Sequence, residues 1–412
     1  MPSTLVARNG VAWVFALNGL LFASWISRIP EARTALGLNN GQLGLLLLAI
    51  AAGSLVSMPT TGTAIERFGT VRVIRSAGVS AFVGLFLAAV ALTTSAVWLA
   101  VIALFFYGIG TGVWDVAMNV EGAAVERHLG RTVMPRFHAA FSFGTVAGSG
   151  VGAVAVAAGV PVLGHLVPLA LVALVALVLS SRTFLPDEPE GHDEPRLSAW
   201  VAWREPRTLL IGLMVFALAL TEGTANDWLA LALVDGYDVE HWVGVAGFAV
   251  FVTAMTVGRL GGPVLLDRFG RAPVLWGTMA AAAGGVVLIV VGQSVMWVVL
   301  GIVLWGLGAS LGFPVGMSAA ADDPRRAAAR VSVVSTIGYG AFLAGPPLLG
   351  FVADHVGTLK ALLVVAVALV PSAQVVPSAR KPRSRDSSGV AVPSGVPRWR
   401  SLWRWYSTIS TK

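Results

Sequence analysis

Apolar runs long enough to cross a membrane dominate this chain. A helix that spans the hydrocarbon core of a bilayer needs about 20 mostly apolar residues, and the chain offers such runs in two groups of six, separated by a polar stretch. The pattern predicts spans at 9–29, 41–64, 72–93, 96–123, 133–158, 162–184, 207–234, 240–264, 271–292, 294–318, 328–352 and 357–376. We therefore predict an all-α membrane protein with twelve transmembrane helices in two six-helix bundles.

Composition supports this class and excludes several others. Hydrophobic residues make up 56% of the chain and charged residues 12%, whereas soluble domains carry about 25% charged residues. The chain has no cysteine, so disulfides and cysteine-based metal sites are excluded. Neither a G-x-x-x-x-G-K-[ST] phosphate loop nor an H-E-x-x-H metal motif is present. We predict a non-enzyme without metal or cofactor.

The polar segments divide the chain into four parts. The first bundle is predicted at 1–185, a solvated linker rich in acids and proline at 186–206, the second bundle at 207–376, and a basic tail at 377–412. Near its end, at 399–405, the tail carries three Trp and two Arg residues, which suits a segment lying on anionic lipid. Disorder is the other interpretation and the one we favour, because the tail is also rich in Pro and Ser.

Charge predicts the orientation of the spans. Cytoplasmic loops of membrane proteins carry an excess of Lys and Arg. With the N-terminus placed inside, all of the 28 Lys and Arg residues except Arg28, Arg33 and Lys360 fall on the inner side. We predict a monomeric protein of the bacterial inner membrane with both termini in the cytoplasm. The net charge of +7 then reflects orientation rather than a nucleic-acid partner.

Short sequence echoes indicate that the second half is a copy of the first. Residues 66–69 read Glu-Arg-Phe-Gly and residues 267–270 read Asp-Arg-Phe-Gly, 201 positions later. The tripeptide Phe-Ala-Leu occurs at 15–17 and again at 216–218, at the same offset. Duplicated membrane bundles are typical of secondary transporters, which bind their solute between the repeats.

The two tetrapeptides lie in loops where charged side chains can form a latch between helices. An acid at a helix end can pair with an arginine or with a neighbouring helix N-terminus. The surrounding residues resemble the loop motif G-x-x-x-D-R-x-G-R-R of the major facilitator superfamily. The first copy has Glu66 in place of Asp, and the second has Pro263 in place of Gly. The resemblance implies a cytoplasmic gate, and its candidate residues are Glu66, Arg67, Arg72, Arg259, Asp267, Arg268 and Arg271. The alternative is ordinary snorkelling loop charges.

Three further segments resemble a bacterial branch of that superfamily that is similar to the fucose:proton symporter group. They are Trp-Ile-Ser-Arg-Ile-Pro-Glu at 25–31, Asp-Val-Ala-Met-Asn-Val-Glu-Gly at 115–122 and His-Ala-Ala-Phe-Ser-Phe-Gly at 138–144. This resemblance implies a twelve-helix fold, alternating access and a solute of the sugar type.

Polar residues inside the first bundle are candidates for a solute or proton site, because ionisable groups within a membrane span tend to face a cavity. Asp115 and Asn119 share one face of the fourth span at i, i+4 spacing, and His138 and Ser142 share a face of the fifth. Helix-to-helix hydrogen bonding is the alternative role for the first pair. His138 can exchange protons near neutral pH or can be simply solvated. Glu121, Glu126, Arg127 and Arg136 are expected nearer the surface, as ion-paired structure.

The seventh and first spans supply the remaining candidates. Glu222 lies near the middle of the seventh span and shares a face with Asn226, so it is a candidate carrier of the coupled proton. Its alternative role is to pair with Arg28 or another outer charge. The first span contributes Asn18 and Trp25. The Trp25 ring can stack on a sugar or belong to the aromatic belt at the membrane interface.

These features predict a proton-coupled symporter that moves a small polar, sugar-like solute by alternating access, with lipid, protons and the solute as its partners. Uptake and export both remain open. Proton-driven efflux of hydrophobic drugs is a second interpretation, because most spans carry few polar groups. A third is a membrane sensor built on the same fold that does not transport.

Overall fold

A computed structural model describes residues 3–38, 40–186, 199–239 and 241–381. Within these residues twelve helices are long and apolar enough to cross a membrane, which confirms the predicted fold class. Most of the predicted linker (187–198) and of the predicted tail (382–412) lies outside the described residues.

The first half of the chain supplies six spans and one short helix. The second span ends at Phe68, four residues later than predicted, because the charged residues 66 and 67 continue the helix instead of ending it. The helices are α1 (Thr4–Ile26), α2 (Ile29–Ala35), α3 (Asn40–Phe68), α4 (Thr70–Thr93), α5 (Val97–Leu129), α6 (Met134–Ala157) and α7 (Val162–Ser180).

The second half repeats this order with more interruptions. Its first span is divided by a π-helical segment at Ala225–Leu229, its fourth is broken between Ala309 and Gly312, and its last is broken at Leu362. The helices are α8 (Ala199–Ala202), α9 (Pro206–Thr224), α10 (Ala230–Tyr237), α11 (His241–Phe269), α12 (Arg271–Val291), α13 (Val295–Ala309), α14 (Gly312–Ala320), α15 (Ala327–Val356), α16 (Thr358–Ala361) and α17 (Leu363–Val375).

The sequence echo has a direct structural counterpart in two turns. Gly69 joins α3 to α4 with φ 81°, and Gly270 joins α11 to α12 with φ 79°. Only glycine adopts this backbone region without a steric penalty from Cβ. Arg67 lies over the Phe68 ring at 5.4 Å, and Arg268 lies over the Phe269 ring at 5.2 Å. The repeated tetrapeptide therefore specifies a repeated helix–turn–helix corner.

The two halves approach each other closely at one end of the bundle. We call this the basic end, and it contains the α3–α4, α5–α6 and α11–α12 turns and the segment 321–326 that precedes α15. Here α3 packs against α15. A Cβ on Gly62 would lie 2.8 Å from both the Ala328 carbonyl oxygen and the Ala329 Cα. Ser332 of α15 also donates a hydrogen bond to the Met58 carbonyl. The basic end is therefore closed by helix backbones in direct contact.

Candidate functional site

Polar side chains of α5 and α6 meet inside the bundle. Asn119 is fully buried, and its Nδ2 donates to the Asp115 carbonyl oxygen at 2.9 Å and to Asp115 Oδ1 at 3.4 Å. His138 Nε2 lies 3.2 Å from Asn119 Oδ1. Because an amide oxygen only accepts, His138 donates from Nε2. The spacing of these residues along two neighbouring helices thus produces one connected chain of hydrogen bonds.

An arginine from the second half extends this set across the interface between the halves. Arg259 of α11 donates to Glu222 Oε2 of α9 at 2.9 Å and to Ser142 Oγ of α6 at 2.9 Å. The Arg259 side chain is 5% exposed and that of Glu222 is 19% exposed. A charge buried to this degree is stable only when it is paired. Arg259 therefore joins the halves through Ser142 while it neutralises Glu222.

The break between α13 and α14 provides a further partner for Arg259. Pro314 lacks an N–H group, and its ring clashes with the carbonyl of the residue four positions earlier, which is Ser310. The Ser310 carbonyl consequently lies outside the helical hydrogen-bond pattern, and Arg259 Nε donates to it at 3.4 Å. Non-helical backbone within a membrane requires such a partner.

Aromatic rings from both halves line the same region. Ring centroids are 5.1 Å apart for Phe15 and His138, 5.6 Å for His138 and Phe313, and 6.2 Å for Phe313 and Tyr339. Tyr339 also interacts with the Asp115 carboxyl group. Sequence reasoning missed Phe313 and Tyr339. The 201-residue offset could have found Tyr339, because it maps this position onto His138.

We call Asp115, Asn119, His138, Ser142, Glu222, Arg259, Phe313 and Tyr339 the central cluster. Asn18 lies beside it and is buried, with Nδ2 4.0 Å from the sulfur of Met118. Asn226 does not join it. This residue is exposed within the π-helical segment. The i→i+5 hydrogen bonds of a π-helix replace the i→i+4 bonds of an α-helix and change the face on which the residue lies.

Two alternatives considered from the sequence are wrong. Trp25 is 1% exposed, so it is not a residue of the interfacial belt. Glu222 pairs with Arg259 rather than with Arg28, which lies beyond the end of α1 at the start of α2. There it binds Glu31 at 2.6 Å and His165 Nδ1 at 3.0 Å.

At the basic end, the second copy of the loop motif contacts the first half. Asp267 Oδ1 accepts hydrogen bonds from the backbone N–H of Thr132 at 3.1 Å and from its hydroxyl at 2.5 Å. Thr132 belongs to the α5–α6 turn of the first half. Arg271 holds Asp322 at 2.8 Å and Ser318 Oγ at 2.7 Å.

A second cross-half connection follows from Arg271. Ser318 donates to Glu126 Oε1 of α5, while Glu126 Oε2 accepts from the N–H groups of Val133 and Met134 at 2.8 Å each. Arg127 also donates to the Ala321 carbonyl at 2.9 Å. Glu126 therefore fixes the start of α6 and links it to α14. We call the residues that make these contacts between the halves the basic-end latch, and they are Glu126, Arg127, Thr132, Asp267, Ser318 and Ala321.

The remaining gate candidates differ in position. Arg67 and Arg72 are exposed and Glu66 is half-buried in the first copy of the motif. Arg259 was predicted to belong with the gate, and the structure corrects this placement. Helix α11 continues to Phe269, so at 1.5 Å per residue Arg259 lies about 12 Å from Asp267 along the helix axis. This distance brings it to the level of the central cluster.

Comparison with known proteins identifies the class. The sequence model of the Major Facilitator Superfamily matches residues 11–346 and 248–405. An uncharacterized MFS-type transporter of Yersinia pestis is 34% identical over 341 residues, covering 82% of this chain and 87% of the relative. The membrane protein MosC of Rhizobium meliloti is 31% identical, covering 90% of this chain and 89% of the relative. This chain belongs to the Major Facilitator Superfamily.

Solved structures agree on the fold. A crystal structure of the E. coli fucose:proton symporter FucP aligns with a TM-score of 0.77 at 15% identity, covering 92% of this chain and all of that chain. A bacterial homologue of the iron transporter ferroportin in an outward-facing state aligns with a TM-score of 0.72 at 14% identity, covering 90% of this chain and 99% of that chain. At these identities the likeness concerns the fold alone.

Proposed function

We propose that this protein is a proton-coupled secondary transporter that moves a small polar solute by alternating access about the central cluster. The observation that carries the proposal is the position of Arg259, which bonds a residue of each half at once. A group shared between two bundles must change its partners when the bundles rock, so its contacts can couple occupancy of the site to conformation.

Glu222 is the acid through which this coupling acts, and Asp115 is the second acid on which transport depends. Protonation of Glu222 removes its electrostatic attraction for Arg259. The Arg259 side chain can then either release Ser142 or keep the hydrogen bond to Ser142 without the bond to Glu222. Either event changes the free energy of the contact between α6 and α11. The family and the similarity of the fold to FucP, a fucose:proton symporter by name, are consistent with proton coupling and with a polar solute.

The basic end is proposed to face the cytoplasm and to be closed in this conformation. Support comes from the positive-inside rule, since Arg28, Arg33 and Lys360 are the cations assigned to the other side. The latch and the α3–α15 contact then act as the inner gate, and the solute enters from the outside. We propose solute uptake driven by an inward proton gradient, and a conformation closed at the inner end, which is the one that accepts solute from outside, supports this direction.

Transport by purified protein tests the proposal. Proteoliposomes loaded with the pH dye pyranine are challenged in turn with members of a panel of sugars and other small polar solutes. We expect at least one solute to drive proton entry in the wild type. Glu222→Gln and Asp115→Asn should each abolish this signal, while Asp354→Asn, an exposed acid outside the central cluster, should retain it. Full coupled transport in both site variants would contradict the proposed roles of these two acids.

Labelling of single cysteines tests the orientation. The chain contains no cysteine, so each introduced thiol is the sole target. Arg131→Cys is exposed at the basic end and Thr94→Cys is exposed at the other end. In intact cells a membrane-impermeant maleimide should label the Thr94 variant and should spare the Arg131 variant until the membrane is opened. The reverse order would place the basic end outside.

A further inference from the structure

The two acids of the central cluster differ in their surroundings. Glu222 is compensated by Arg259 at 2.9 Å. Asp115 has no cation within ion-pair distance among the described residues, although it is only 6% exposed. Its Oδ1 receives a long contact of 3.4 Å from Asn119, no short hydrogen bond reaches its Oδ2 in the described part of the chain, and the Tyr339 hydroxyl is a neutral donor that interacts with the carboxyl group.

A buried carboxylate that has neutral partners but no cation is costly, and in membrane spans such groups mark ligand or ion pathways. Arg259 cannot supply the missing charge, because Glu222, Ser142 and the Ser310 carbonyl already occupy it. Among the described residues of the central cluster, the charge that lacks a counterion is therefore that of the ionised Asp115 carboxylate, which is negative. This balance disfavours an anionic solute and favours a solute that carries a positive charge.

The Tyr339 ring beside Asp115, together with the rings that contact it, favours an organic cation over a bare metal ion. Tyr339 interacts with Asp115 and lies in ring contact with Phe313 at 6.2 Å and with Phe342 at 5.8 Å. The faces of aromatic rings attract cations, and aromatic groups recognise alkylated ammonium ligands in this way. A metal ion would instead require several oxygen or nitrogen ligands around it.

We propose that the solute is an organic cation whose ammonium group binds Asp115 and whose carbon skeleton contacts Phe313 and Tyr339. The inference rests on the proposed transport function and separates the roles of the two acids. Asp115 binds the charge of the solute, while Glu222 and Arg259 couple its occupancy to protons and to the movement of the halves.

Thermal stability of the purified full chain tests this assignment, since a ligand that binds only the native state raises its stability. The probes are two matched pairs, choline with the neutral isostere 3,3-dimethyl-1-butanol and cyclohexylamine with cyclohexanol. We expect an ammonium member to stabilise the protein and its neutral partner to have no effect. Asp115→Asn should raise the Kd for that cation at least about tenfold, and Asp354→Asn, an exposed acid outside the central cluster, should leave it unchanged.

Variants of Tyr339 provide a test that leaves the acids intact. Tyr339→Phe keeps a ring and should keep cation binding, whereas Tyr339→Leu should weaken it about fivefold. Equal stabilisation by charged and neutral partners, or by neither cation, would overturn the inference. Coupled flux of a neutral solute without cation binding would leave the proposed function standing. Selective cation binding by Asp115 without coupled flux would instead remove the proposed function and keep the cation site.

Discussion

The two halves share a scaffold but differ in how their central helices run. In the first half, α1 and α5 continue without interruption for 23 and 33 residues. Their counterparts in the second half are interrupted by the π-helical segment after α9 and by the break between α13 and α14. Interrupted helices are where transporters place binding groups, because the interruption frees backbone groups and redirects side chains.

The charged network follows those interruptions. Glu222 lies one turn before the π-helical segment, and Ser310 lies at the break, and both bind Arg259. The positions 201 residues earlier in the first half are apolar, namely Leu21, Ile109 and Met58. Duplication therefore reproduced the helices and their corners, and the Glu222–Arg259 ion pair belongs to the second copy alone.

Of the substitutions that test this comparison, removal of Arg259 should have the largest effect on transport and on thermal stability. Arg259→Leu leaves the Glu222 carboxylate without its partner, and breaking a buried ion pair in this way costs about 3–5 kcal/mol. Transport should be lost, and the thermal unfolding temperature in detergent should fall sharply. The matched control is Met58→Leu at the equivalent position of the first half, which should change both quantities little.

The double variant Arg259→Leu with Glu222→Leu sharpens the same comparison. Replacing both members of a buried pair by apolar residues is often neutral for stability. We expect most of the thermal stability to return while coupled transport stays absent. Recovery of transport together with stability would mean that the pair is structural and has no part in coupling.

Substitution of Gly62 tests the closure of the basic end. In Gly62→Leu the side chain would meet the backbone of Ala328 and Ala329 at 2.8 Å, so α3 and α15 must separate. The matched control is Gly261→Leu, whose added Cβ has no atom within 4 Å. A disulfide between Thr132→Cys and Asp267→Cys reports closure. We expect its formation to fall about tenfold with Gly62→Leu, a population shift of about 1.4 kcal/mol, and to be unchanged with Gly261→Leu.

The two glycine corners should respond alike, since they belong to the shared scaffold. Gly69→Ala and Gly270→Ala each force a Cβ into a backbone region with φ near 80°, which costs about 1–3 kcal/mol. Thermal unfolding of the two variants should show similar decreases. A loss confined to one of them would show that the repeated corners do not contribute equally to stability.

The sequence predicted the spans and part of the site for physical reasons. Twenty apolar residues in lipid allow a helix because every backbone group must be bonded internally. The i, i+4 spacing of Asp115 with Asn119, and of His138 with Ser142, brought these side chains to one face of each helix. Their proximity in the structure follows from that spacing and from the contact between α5 and α6.

The contribution of the second half to the site was harder to predict. Charged residues near the end of α11 suggested that the span ended at 264, which placed Arg259 near the surface. The helix instead continues to Phe269, so Asp267 and Arg268 belong to its last turn rather than to a loop. Phe313 and Tyr339 gave no signal of their own, because an aromatic residue in an apolar span resembles any packing residue. Pro314 in the predicted tenth span was the available sign of a break.

A smaller effect is expected at Glu205, which has no acidic counterpart 201 residues earlier, at Thr4. Glu205 binds Arg330 at 2.6 Å and Arg326 at 2.7 Å at the start of α15. Partial burial opposes ionisation, but the hydrogen bonds from Arg330, Thr208 and Arg326 outweigh it and lower the pKa of Glu205 from 4.5 to about 2. Because the folded pKa lies below the ordinary value, the ionised carboxylate stabilises the fold.

This stabilisation is fully present above about pH 4.5 and is lost as the pH falls towards about 2. Glu205→Gln should therefore lower stability by about 1 kcal/mol at neutral pH, a modest value because solvent screens the partly exposed pair. The difference in unfolding temperature between wild type and variant should shrink as the pH is lowered through that window. A difference that stays constant from pH 7 to pH 3 would show that Glu205 acts through packing rather than through its charge.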